Sequence, residues 1–181
     1  MRCALTIAYD GTNFLGSQTQ KSSPNTILGN LQRVLSQLSI DSKIIASGRT
    51  DKGVHATGQV CHFDLPEFWT SLKKLKKVLN EMLPSSIEVK AVKEVDAEFH
   101  ARYSAKKRVY RYIIKESKSN PFENNFVTYL NSVDFDTNEN NIKLYIGEHD
   151  FANFMKTGSD TKSRVRVIYK AFAYSHKGYI V

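Results

Sequence analysis

The sequence predicts an α+β fold of two units, each a mostly antiparallel sheet with helices on one face. Three observations carry this. Apolar residues alternate at period two in the opening segment and recur at helical spacing in two later ones, and strand-like and helix-like stretches succeed one another without repeats or low-complexity tracts.

Cys3, Leu5, Ile7 and Tyr9 form the period-two run, closed by the turn-forming Asp10-Gly11-Thr12-Asn13. Ile27, Leu28, Leu31, Val34, Leu35 and Leu38 make a helical stripe behind Thr26, a side chain suited to capping a helix start. Leu72, Leu75, Leu79 and Met82 make a second stripe, ended by Pro84. Two short β-rich segments, 43–47 and 58–63, lie between the helices, and Ile87, Val89 and Val95 predict a strand after them. The second half repeats the theme more loosely, with strands expected over 108–115 and 165–173 and a helix over 138–146. A boundary near Ala105 divides the chain into 1–105 and 106–181, and the order of elements suits a ferredoxin-like arrangement.

With 181 residues, 41% of them hydrophobic, the chain can bury a core without covalent staples. The 26 Lys and Arg against 18 Asp and Glu give a charge of +8, which favours a polyanionic partner such as nucleic acid, although basic surfaces also serve solubility alone. Cys3 and Cys61 both sit in apolar runs and are expected to pack as small hydrophobes, which disfavours a disulfide framework or a structural zinc site. The start has no continuous apolar signal core, and no window reaches membrane-spanning length, so the chain reads as cytoplasmic and without a membrane partner.

Residues 47–56, SGRTDKGVHA, connect two of the expected strands. Gly48 and Gly53 permit a tight or left-handed backbone that would hold Asp51 out of the ladder and toward a cleft. An ionised carboxylate flanked by Arg49 and Lys52 can act as a nucleophile, whereas the same residues also make an ordinary solvated turn. Asp51 and His55 are too few ligands for a metal.

Residues 99–112, FHARYSAKKRVYRY, interleave aromatic rings with cations. Cations contact phosphates and rings stack on unpaired bases, so this is the strongest local indication of RNA; a strand with Tyr110 or Tyr112 packed inside is the plainer alternative. The segment 149–170 sets Lys156, Lys162, Arg164, Arg166 and Lys170 around Gly158-Ser159-Asp160-Thr161, a make-up shared by phosphate-contacting and ordinary surface loops. Lys73, Lys74, Lys76 and Lys77 flank an apolar stripe and read as a solvated helix face.

Together, YDGTNFLGSQTQ at 9–20, SGRTDKGVHA at 47–56, FHARYSAKKRVYRYII at 99–114 and HDFANF at 149–154 resemble, in order, the bacterial tRNA pseudouridine synthase A family. The resemblance spans nearly the whole chain. It implies a catalytic role for Asp51, a base-displacing role for Arg49 and packing of Tyr110 against the target uracil. It further implies tRNA contacts from Phe99, His100, Ala101, Arg102 and Tyr103 and from Gly158, Ser159, Asp160, Thr161 and Lys162. The family's fold is two related α+β units whose sheets join around a cleft. Its members are homodimers that act on uridines of the tRNA anticodon stem-loop, with neither metal nor organic cofactor. Asp51 would attack the base at C6 or the sugar at C1′, or remove a sugar proton; sequence leaves the three routes open.

Two departures from the family pattern stand out. Ser17 occupies a position where tryptophan is common, with weakened packing or RNA contact as the expected consequence. The chain also stops at Gly178-Tyr179-Ile180-Val181, in strand-like sequence before the family's closing strand and helix with their further arginine. It therefore reads as a shortened form, in which strand-end ladder groups would stand unpaired. The rival classes are an RNA-binding module without catalysis and a metal-dependent phosphoesterase using Asp51, His55 and His100.

Overall fold

The structure is a computed structural model that describes residues 1–20, 23–116, 118, 120–155 and 163–181. Its chain divides into two compact units, Met1–Val109 and Tyr110–Val181. Both mix helices with mainly antiparallel strands.

In the first unit β1 (Arg2–Tyr9) leads to α1 (Ile27–Gln37), β2 (Ile45–Ala46), β3 (Ala56–Asp64), α2 (Leu72–Met82) and β4 (Ile87–Glu94). The sheet order is β2-β3-β1-β4, with every neighbouring pair antiparallel. The alternation read in the sequence is the pleat of β1: Cys3, Leu5, Ile7 and Tyr9 face inward and the residues between them are half-buried. α1 starts where its Thr26 cap predicts, and Ser71, not singled out in the sequence, caps α2. Thr26 Oγ1 accepts the Gly29 N–H at 3.0 Å and Ser71 Oγ the Lys74 N–H at 3.2 Å. Leu31, Val34 and Leu35 of α1 and Leu75 and Leu79 of α2 are fully buried with the inward residues of β1, with Phe63 of β3 and with Val89 of β4. Truncating any of these leucines to alanine is expected to cost about 2–5 kcal/mol, because the cavity left cannot collapse. Cys3 and Cys61 are free and buried in this core, and burial pushes the Cys61 thiol up to about 12.

The second unit holds β5 (Ile114–Lys115), β6 (Thr128–Tyr129), α3 (Phe135–Lys143), β7 (Gly147–Asp150), a short 3-10 helix (Ala152–Phe154), β8 (Val165–Ile168), β9 (Ser175–His176) and β10 (Tyr179–Ile180). Its strands form one sheet of order β6-β5-β10-β9 and the antiparallel pair β7-β8. Glu123 fastens the first of these: it accepts from Lys115 Nζ at 3.0 Å and from the Tyr179 hydroxyl at 2.8 Å.

The second half corrects several sequence expectations. The strand over 108–115 shrinks to Ile114–Lys115, because only its end finds ladder partners among the described residues: Ile114 faces Ile180 and Thr128. Neither alternating face of 108–113 is covered as expected, and Val109 and Tyr112 are 82% and 76% exposed. The strand over 165–173 ends at Ile168, where its pairing with β7 ends, and the helix lies at Phe135–Lys143. Val181 exchanges both backbone hydrogen bonds with Tyr174, so the ladder groups expected to be open there are paired.

Candidate active site

Residues 47–55 form the connection between β2 and β3. The segment is irregular but tied down. Ser47 N–H donates to the Val60 carbonyl at 2.8 Å, and Val54 N–H closes a turn onto the Asp51 carbonyl at 3.2 Å. Gly53, third in that turn, has φ +79°, a backbone state that glycine adopts without strain. Gly48 carries no such requirement. Asp51 and Arg49 are both exposed on this loop, so the carboxylate is presented to solvent as the sequence expectation required.

The loop between β1 and α1 supports it. Ser17 is completely buried, exchanges backbone and side-chain hydrogen bonds with Thr50, and thereby lies under the loop instead of offering an open RNA contact. Beside it Gly16 has φ +105°, and a Cβ there would stand 2.8 Å from the Thr50 carbonyl oxygen. His55 Nδ1 lies 3.1 Å from Asp10 Oδ1 and within 3.1 Å of the Gly11 N–H. Thr12 donates to Asp10 through its backbone and hydroxyl, and the hydroxyl bond leads the causes that hold the Asp10 carboxyl below its usual range.

The aromatic and cationic segment Phe99–Tyr103 belongs to the same unit and is anchored at three points. Arg2, paired to Asp64 at 2.8 Å, donates to the carbonyls of Ala97 and Phe99. Ala101 is buried, and its N–H donates to Nδ1 of the buried His62 at 3.1 Å. Burial, then the neighbouring His100 and Arg2, holds the His62 imidazole below its ordinary value. The third anchor is Arg108, whose guanidinium reaches the carbonyls of both Ser47 and Arg102. Between these anchors Tyr103 faces outward, 77% exposed, with its ring centre 4.3 Å from that of His100 and the Arg102 guanidinium 5.7 Å above it, whereas the half-buried Phe99 and His100 rings pack against His62.

Asp51 and Arg49 thus share one loop, and Arg108 ties its start to Phe99–Tyr103. Tyr110 opens the second unit and is 71% exposed. Residues 158–162 lie outside the described residues. Asp51, His55 and His100 do not assemble as ligands, and no group of three His, Cys, Asp or Glu fit to hold a metal occurs among the described residues. Sequence reading missed Ser17 as a support and Arg108 as a tie, since nothing local marks which distant carbonyl a serine or arginine will meet. No helix among the described residues is long and apolar enough to cross a membrane.

A profile described as tRNA pseudouridine synthase matches residues 5–104. The chain is 40% identical over 184 residues to a protein of Geobacillus sp. (strain WCH70) named tRNA pseudouridine synthase A, covering 97% of this chain and 71% of the relative. It is 38% identical to a protein of that name from Maridesulfovibrio salexigens (96% and 64% covered), and 42% identical to one from Exiguobacterium sp. (94% and 69%). It spans about two thirds of the length of these relatives. With the matched residues reaching from the buried heart of β1 through the Asp51 loop to the Phe99–Tyr103 segment, the chain belongs to the tRNA pseudouridine synthase family.

Proposed function

We propose that this chain isomerises uridine to pseudouridine in tRNA, with uridines of the anticodon stem-loop as targets and Asp51 as the catalytic carboxylate. The observation that carries the reading is an exposed aspartate on an anchored loop, within a sequence that belongs to a tRNA pseudouridine synthase family. The reaction breaks the bond from uracil N1 to C1′, turns the ring and joins C5 to C1′. The C5 proton leaves and N1 gains one, so no atom is added and no redox partner or group donor is consumed. Asp51 serves this chemistry by attack at C6 or C1′ or by taking a sugar proton.

A base inside a stem must leave the stack before any of this can happen. Arg49 occupies the vacated space, Tyr110 packs against the uracil, and Phe99–Tyr103 with residues 158–162 hold the RNA. Cations on phosphates and rings on bases suit that division of labour. Two ferredoxin-like units bordering a cleft are the architecture proposed for it; the βαββαβ order of the first unit and its β2-β3-β1-β4 sheet support half of that arrangement. The proposal includes a homodimer in the cytoplasm and a reaction independent of metal.

The exposed Tyr103, flanked by His100 and Arg102, also suits RNA binding without catalysis. Quantifying pseudouridine in unmodified tRNA after incubation with the chain and with Asp51→Ala, chelator present, separates the two. Product from the parent and none from Asp51→Ala, with tRNA binding kept, is the expected result. Binding by both with product from neither selects the binding module.

A further inference from the structure

Thr50, the residue before Asp51, lies outside the sheet ladders, yet all of its polar groups are engaged. Ser17 N–H donates to the Thr50 carbonyl at 2.9 Å, and the Thr50 N–H donates to Ser17 Oγ at 2.8 Å. One residue, 33 positions away, therefore grips both backbone polar groups of Thr50.

Ser17 is itself fixed. It is 0% exposed, its carbonyl accepts the Leu28 N–H at 2.9 Å, and the Gly16 carbonyl accepts the Ile27 N–H at 3.2 Å, so the first turn of α1 roots it. The Thr50 hydroxyl closes a second arm. Thr50 Oγ1 stands 2.8 Å from the hydroxyl of buried Tyr9, which donates to Gln59 Oε1 at 3.0 Å, and Gln59 Nε2 donates to the Gly48 carbonyl at 2.6 Å. Because the Tyr9 proton goes to Gln59, the Thr50 hydroxyl supplies the proton between Thr50 and Tyr9. Residues 48 and 50 are thus held by buried Tyr9 of β1, half-buried Gln59 of β3 and buried Ser17 on the approach to α1.

We infer that Ser17 is a positioning residue for Asp51, acting through the Thr50 peptide; the inference rests on the reading of Asp51 as the catalytic group. Ser17 is buried and does not touch substrate. What it sets is the direction in which the next residue leaves the protein surface. A displacement of about 1 Å at a reacting group costs roughly a hundredfold in rate, which makes a two-sided grip on the adjacent peptide a catalytic matter as well as a structural one.

The test measures kcat and KM for tRNA, tRNA binding and thermal melting for the whole chain and for Ser17→Ala, Ser17→Thr and Asp51→Ala. Ser17→Ala, which removes the acceptor for the Thr50 N–H, is expected to lower kcat by about tenfold to a hundredfold with KM changed less than about twofold. Ser17→Thr keeps an acceptor and should recover most of kcat. A lower melting temperature with kcat per folded molecule unchanged would make the role structural only and overturn the inference, as would a rise in KM at constant kcat. If Ser17→Ala does not fold, exchange of the Thr50 amide hydrogen in the unsubstituted chain decides instead. Slow exchange supports the grip, and exchange at the rate of an open loop overturns it. An inactive parent, or an active Asp51→Ala, defeats the functional reading and the inference with it. An Asp51-dependent parent beside a Ser17→Ala variant of undiminished kcat defeats the inference alone.

Discussion

Arg108 donates to the Ser47 carbonyl through Nη2 at 2.6 Å and through Nε at 3.2 Å, and the same Nη2 reaches the Arg102 carbonyl at 3.2 Å. One planar guanidinium therefore joins the first residue of the Asp51 loop to the aromatic segment proposed to hold RNA. Arg108→Ala is expected to lower kcat/KM by about fivefold, the equivalent of about 1 kcal/mol of lost hydrogen bonding at an exposed site. Arg108→Lys should recover little, since an ammonium lacks the fork that spans two carbonyls. Steady-state kinetics on tRNA, together with limited proteolysis across 99–108, checks both.

Gly16 makes a sterically sharper prediction. Gly16→Ala forces a side chain into φ +105° and sets its Cβ 2.8 Å from the Thr50 carbonyl oxygen, a backbone atom that cannot swing away. The left-handed state alone costs about 1–3 kcal/mol. A lowered melting temperature together with reduced isomerisation is expected, and an unchanged kcat in the folded fraction would show that the Thr50 peptide tolerates displacement.

The first unit was legible where local pattern and long-range packing agree. Period two fixed which side of β1 is buried, and the leucine spacing with Thr26 before it placed α1 at Ile27–Gln37. The 47–55 loop could be located for the same reason, as glycine-bounded residues between two β-rich runs. In the second unit two-residue strands such as Ile114–Lys115 and Tyr179–Ile180 exist only through partners distant in sequence, and no period can be read from two residues. The alternation of 108–113 suggested a strand, yet a ladder needs partners as well as pattern. Ser17 escaped notice in its actual role because its value lies in a bond to Thr50, which no spacing rule reports.

His62 predicts a pH dependence of stability. Its imidazole is held below the usual 6.5 by burial first and by His100 and Arg2 next, with Asp64 opposing. Folded chain thus binds fewer protons at this site than unfolded chain, so stability is full above about pH 6.5, falls as pH drops below it, and levels off once folded His62 is itself protonated. Protonation at Nδ1 also removes the acceptor for the Ala101 N–H. Thermal melts between pH 5 and 8, a range chosen to bracket an ordinary imidazole, should show this slope in the parent and a shallower one in His62→Gln.

Thiol reactivity tests the core. With the Cys61 thiol pushed up to about 12 and Cys3 buried in the same core, a thiol-specific reagent near pH 8 should label neither cysteine in the folded chain. Both should react at once in denaturant. Rapid labelling of Cys61 without denaturant would mean that the β1–β3 core opens locally.

The most direct measurement of the central claim is pseudouridine content, by mass spectrometry, at anticodon-stem uridines of an unmodified tRNA treated with the parent chain or with Asp51→Ala, alongside tRNA binding by each. Pseudouridine from the parent, a loss of at least about a thousandfold on removing the carboxylate and retained binding are the predicted results. Equal product from both proteins would contradict the account by removing Asp51 from the chemistry; tRNA bound by both without product would leave the chain an RNA-binding module.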